Sequence, residues 1–373
     1  MISMQTTAIS AKPHYPILDG LRGVAAVMVV AFHIFETHST NHLDQIINHG
    51  YLAVDFFFLL SGFVVAYAYD DRWGKMSVGN FFKRRLIRLQ PMVVMGMIVG
   101  AVFFYFQGSS VVFPGLMQVS VWKMLLVMLI GFTLIPIPVS MDIRGWAEMH
   151  PLDGPAWSLF FEYIANILYG LFVRKFSNKL LTMLVFVAGC ALIQLAVTSP
   201  NGDLIGGWSL DPVQLRIGFT RLMFPFFGGI LLLRVSKLIY LKHAFFWCSL
   251  MVVAVLAIPR IGGSEHLWMN GMYDSGVIIL IFPVIVFLGA GGKLKGKYSS
   301  RICKFLGDIS YPLYITHYPI IYMYTAWVKN HKLSLDQAYP VALLVIVSCI
   351  ILAYACLKLY DEPVRKWLAK RYL

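Results

Sequence analysis

Leu18-Asp19-Gly20-Leu21-Arg22-Gly23 opens an apolar run that continues to Phe32-His33. Read as a helix, the eleven steps from Arg22 to His33 rise about 16 Å and return both side chains to nearly the same face. A charged residue at the centre of a membrane-length segment costs about 3 kcal/mol on insertion scales, and an imidazole is also expensive there. Lipid-facing positions have no use for such a pair. The stretch therefore predicts a membrane helix that lines an interior site, with a cation at its edge and a titratable ring deeper in.

The rest of the chain agrees with a membrane protein. Of 373 residues, 59% are hydrophobic and only 13% charged. Apolar runs fall at about 20–37, 50–69, 91–107, 121–138, 156–173, 180–198, 217–233, 243–259, 271–290, 306–328 and 336–357. That is the pattern of an all-α, polytopic transmembrane helical bundle. Asp19 and Arg22 interrupt the approach to the first run and no small-residue cleavage site follows it, so the reading includes no cleavable signal peptide.

The net charge of +13 suggests nucleic acid only if its location is ignored. Most of the basic residues cluster between apolar runs, at 72–88, 174–179, 234–242, 293–304 and 358–371. All of these clusters are cytoplasmic if residues 91–138 contribute one net crossing. The expectation is about ten spans, both termini cytoplasmic, and one re-entrant or interfacial segment near the Gly-Ser-Ser and Pro-Gly punctuation at 108–115. The partner is then a lipid bilayer and not nucleic acid. The five cysteines lack C-x-x-C spacing and lie mostly in apolar runs, where they read as packing residues.

Few residues could carry chemistry. The first two runs form a hairpin that brings His33 and Asp55 to similar depth, where a carboxylate can fix the imidazole tautomer. The bland alternative is a buried pair that ties two helices together. Ser61-Gly62 suits close helix packing. Lys83-Arg84-Arg85-Leu86-Ile87-Arg88 places Arg85 and Arg88 one turn apart, at the depth of Arg22. Such a cluster serves either as a topology signal or as a phosphate clamp. Ser158, Glu162 and Asn166 form a polar stripe behind Trp157, fit either for an acceptor hydroxyl or for helix–helix bonding. Ser310, Tyr314 and His317 share another face. The other histidines show no metal-ligand spacing, and no nucleotide loop or G-x-S-x-G elbow is present.

Together these motifs resemble the acyltransferase-3 family of integral membrane O-acyltransferases. The resemblance rests on Leu18 to Gly23 with His33, Val54-Asp55-Phe56-Phe57 with Ser61-Gly62-Phe63, Arg85-Leu86-Ile87-Arg88, Trp157-Ser158-Leu159 with Glu162, and Ser310-Tyr311-Pro312-Leu313-Tyr314 with His317. It implies one integral membrane acyltransferase domain over residues 1–373, a stand-alone form without the extracytoplasmic hydrolase-like domain of many relatives. It implies acyl-CoA, most often acetyl-CoA, as donor and a carbohydrate or small-molecule hydroxyl as acceptor, with no metal. Arg22, Arg85 and Arg88 would hold the donor phosphates, and His33, oriented by Asp55 or Glu162, would be the base. Trp157, Ser158, Tyr314 and His317 would line the acceptor site. The competing class is a transporter or flippase for a lipid-linked sugar, with His33 and Asp55 relaying protons.

Overall fold

A computed structural model describes Lys12 and residues 14–373. Among the described residues the chain is helical, with no strand. The helices are α1 (Pro16–His38), α2 (Ala53–Tyr69), α3 (Val78–Phe106), α4 (Val121–Gly131), α5 (Ala156–Leu171), α6 (Asn178–Thr198), α7 (Pro212–Val235), α8 (Ala244–Ala257), α9 (Leu267–Gly276), α10 (Phe282–Gly291), α11 (Lys297–Thr316), α12 (Tyr318–His331), α13 (Leu335–Cys356) and α14 (Glu362–Tyr372). π-Helical turns join α9 to α10 and α13 to α14. Among the described residues, seven stretches are long and apolar enough to cross a membrane. The 11-residue α4 spans only about 16 Å, half a hydrocarbon core. It is the second apolar run of the 91–138 region, the region expected to hold a broken element.

Two boundaries depart from the sequence reading. Helix α3 begins at Val78, with Pro91 inside it, so the Lys83–Arg88 cluster rides on the spanning helix itself. The 306–328 run divides at His317. Pro319 in the first turn of α12 has no N–H for the carbonyl of Ile315, so the ladder breaks there. The His317 ring turns back on the last turn of α11, its Nδ1 lying 3.0 Å from Leu313 O and 2.9 Å from Tyr314 O.

Helix α1 lies at the centre, packed most extensively on α11, while α2 packs along α7. Both contacts depend on glycine. A Cβ at Gly23 would run into the Leu306 carbonyl, and one at Gly62 into the Phe226 carbonyl. Two motif glycines thus let backbones approach closely where apolar burial alone cannot hold helices together in lipid. This close packing sets the depth of the side chains described next.

Candidate active site

At one end of α1 lies a group of cations. Arg22 Nη1 is 3.4 Å from Asp19 Oδ1 on the preceding turn. Arg85 Nη2 donates to Glu162 Oε1 at 2.9 Å, and Ser61 Oγ donates to the same oxygen at 2.6 Å. Arg88 is exposed and has no ion pair among the described residues. The charges of Arg22, Arg85 and Arg365 all act on it, opposed mainly by Asp19. Like charges converging on an unpaired guanidinium leave room for an anion. Arg365, on α14, was read in the sequence only as part of a basic terminal cluster.

Toward the other end of α1 opens a cavity of about 520 Å³. Its wall includes His33, Glu36, Trp157, Tyr314, Tyr318 and Glu148. His33 Nδ1 lies 2.7 Å from Glu36 Oε2. An ionised carboxylate can only accept, so in this contact Nδ1 is the donor, and the neutral imidazole then keeps the Nε2 lone pair for use as a base. Tyr318 meets the ring edge-on at 4.7 Å, and His317 stacks beneath it at 5.6 Å with the planes 26° apart. The His33 side chain remains partly open to the cavity.

The expected pairing of His33 with Asp55 or Glu162 does not form. Asp55 is fully buried and Arg221 Nη2 donates to it at 2.6 Å, with Nε at 3.2 Å from both oxygens. Arg221 sits inside the apolar run of α7, and a guanidinium buried there requires a carboxylate. Asp55 lies on the helix packed against it and meets that need. Glu162 is taken by Arg85 and Ser61 in the same way. It joins the cations at that end of α1 to the α2 motif and makes no contact with the histidine.

The remaining candidates converge. Ser158 Oγ and Tyr314 OH are 2.8 Å apart, and Pro155 O accepts from Ser158 Oγ at 3.1 Å. Tyr314 and Trp157 line the cavity, whereas His317 is wholly buried behind His33. Its Nε2 has no hydrogen-bond partner among the described residues.

Three charged residues of this site were not foreseen. Glu36 stands at i+3 from His33, a spacing visible in the sequence and shorter in reach than any inter-helix partner. Arg221 lies within an apolar run without a motif. Glu148 belongs to the loop before α5 and is 5% exposed, with Tyr322 OH at 2.7 and 2.6 Å from its two oxygens. Burial pushes its carboxyl up to about 7, against the pull of the Arg144 charge and the Tyr322 hydroxyl.

A helical membrane bundle with a histidine–carboxylate pair in an aromatic cavity has the architecture of a membrane-embedded enzyme. A family model described as an acyltransferase domain matches residues 15–358. The chain belongs to that acyltransferase family, as the motif resemblance implies. It is 31% identical over 193 residues to "Protein 2 in picA locus" of Rhizobium radiobacter, covering 50% of this chain and 96% of the relative. It is 24% identical to the putative peptidoglycan O-acetyltransferase YrhL of Bacillus subtilis, over 94% of this chain and 55% of the relative. Against the peptidoglycan O-acetyltransferase OatA of Listeria monocytogenes, identity is 21% over 97% of this chain and 58% of the relative. The chain thus spans just over half the length of these two acetyltransferases. No solved structure matches it.

Proposed function

We propose that the protein transfers an acyl group, acetyl first among candidates, from acyl-CoA to a hydroxyl of a carbohydrate or glycan. The observation that carries this reading is the His33–Glu36 contact of 2.7 Å on the wall of the large cavity. The family membership supports acyl transfer, and the peptidoglycan O-acetyltransferases among the relatives support a glycan acceptor.

Arg22, Arg85 and Arg88 hold the donor phosphates on the cytoplasmic side of the inner membrane. From there to His33 is about 16 Å along α1, a span of the order of an extended pantetheine arm. The donor thioester then reaches the cavity while its charged end stays at the membrane edge. His33 Nε2 accepts the proton of the acceptor hydroxyl as its oxygen attacks the thioester carbonyl. The new C–O bond forms, the C–S bond breaks, and the imidazolium returns the proton to the departing thiolate. Glu36 holds the ring in the tautomer this requires. Bringing donor and acceptor together in one cavity contributes the rest, since a thioester is already activated.

The reading is tested with purified protein, labelled acetyl-CoA and a glycan acceptor. It expects CoA-dependent thermal stabilisation and label on the glycan. Failure of CoA to stabilise the protein, with no label transferred, would remove the donor assignment and favour the transport reading.

A further inference from the structure

The cavity wall facing away from α1 comes from a loop that is built, not slack. Asp142 accepts from three backbone N–H groups of the loop, those of Arg144 at 2.9 Å, Gly145 at 2.8 Å and Ala147 at 2.9 Å. Ala147 is held at φ +56°, a left-handed conformation that a residue with a Cβ adopts only when its surroundings impose it. The residues on either side of that kink, Trp146 and Glu148, both line the cavity. The next residue, Met149, donates its N–H to the carbonyl of Trp208 at 2.8 Å, which brings a second half-buried, cavity-lining indole to the same wall. Behind Glu148 stands a hydrogen-bonded support. Tyr322 donates to the carboxylate, Arg144 stacks 3.5 Å over the Tyr322 ring, and its Nη1 and Nε donate to Gln107 Oε1 and Pro151 O at 2.9 Å each.

Nothing in the acyl-transfer step uses this wall. Two aromatic faces beside one carboxylate suit a pyranose ring. Its C–H face is apolar enough to lie on an indole, and adjacent hydroxyl or amide N–H donors on its edge fit the two oxygens of a carboxylate. We propose that Trp146, Glu148 and Trp208 form a saccharide subsite, in which the indoles stack on a pyranose and Glu148 accepts two neighbouring donors from its edge. The subsite rests on the acyl-transfer reading for its purpose, because it would present another hydroxyl of the same glycan to His33.

The carboxylate accepts well only when ionised, and it titrates near neutrality. The groups that face it are Tyr322, Tyr318 and Arg144, with Asp142 and Asp153 on its own loop. Across the cavity stand His33, Glu36 and Lys329. If only the ionised form binds, a group titrating near 7 gives about tenfold tighter sugar binding at pH 8 than at pH 6.

The test uses the full chain in detergent and two probes, chitotetraose and cellotetraose. Tryptophan quenching by the sugars is followed without donor, and label transfer from acetyl-CoA is followed separately. The wild type is expected to be quenched by at least one sugar, more tightly at pH 8. Glu148→Gln is expected to weaken that binding at least tenfold and to abolish its pH dependence, while CoA still stabilises the variant. Trp208→Phe provides a second, milder loss that does not touch the carboxylate network. Quenching without any transfer would keep the subsite and overturn the acyl-transfer reading. Transfer with Glu148→Gln binding like the wild type would keep that reading and overturn the subsite. No quenching by either sugar overturns the subsite.

Discussion

Replacing Asp55 by alanine separates a structural carboxylate from a catalytic one. Arg221 is 1% exposed, and its guanidinium makes three contacts to Asp55 together with bonds to Tyr51 O at 2.8 Å and Gly206 O at 3.2 Å. Asp55→Ala keeps the two carbonyl contacts and leaves a buried positive charge without its counter-charge. Breaking a buried pair in this way costs about 3–5 kcal/mol. At roughly 2 °C per kcal/mol for a long chain, the unfolding midpoint in detergent should fall by about 6–10 °C. Removing both charges with Asp55→Leu and Arg221→Met should recover most of that loss, since a well-packed apolar pair often replaces a buried ion pair without penalty. Tryptophan fluorescence against temperature reads the midpoint, and label transfer reads activity. A single variant within 2 °C of the wild type, on the scale of about 1 kcal/mol, would refute the buried-pair reasoning. A double variant that unfolds like the wild type but transfers nothing would return Asp55 to the chemistry.

Three further outcomes follow from the same geometry. Glu36→Gln should lower the transfer rate on the order of 10²-fold with donor affinity unchanged, because the ring loses the partner that fixes its tautomer; an unaltered rate in steady-state assays refutes that role. Arg88→Ala should raise the half-saturating acetyl-CoA concentration about 10- to 100-fold, the value of one charge-assisted contact, and an unchanged value would remove Arg88 from the donor site. The Glu148 carboxyl is raised from 4.5 to about 7 by burial, so the folded chain binds its proton more tightly than the unfolded chain does. Wild-type stability attributable to this group is therefore present at pH 4.5 and lost as pH rises to 7. Glutamine does not titrate, so the stability of Glu148→Gln relative to wild type should rise between pH 5 and pH 8 by about 2–3 kcal/mol. A pH-independent difference in unfolding midpoint would contradict the burial.

What could be read from the sequence was whatever repeats along a helix. The cost of Arg22 and His33 in an apolar run identified both the membrane class and the two-ended helix, and the Arg85–Arg88 spacing placed two guanidiniums together. Pairings across the fold were less visible. Asp55 finds Arg221 across 166 positions, and no periodicity within α7 advertises a cation there. The partner of His33 was nearer than expected, one turn along its own helix. The break at His317 is signalled by Tyr318-Pro319, yet an unbroken apolar count across 306–328 hid it. Least legible was the loop before α5. Its Trp146 and Glu148 reach the cavity through a turn imposed by Asp142 and a left-handed alanine, and neither leaves a helical pattern.

The most direct measurement is transfer of label from acetyl-CoA to glycan by purified His33→Gln protein that unfolds at the wild-type temperature and is still stabilised by CoA. The arrangement of α1 predicts that donor binding survives and transfer is lost. Transfer by that variant at the wild-type rate would contradict the assignment of His33 as the base.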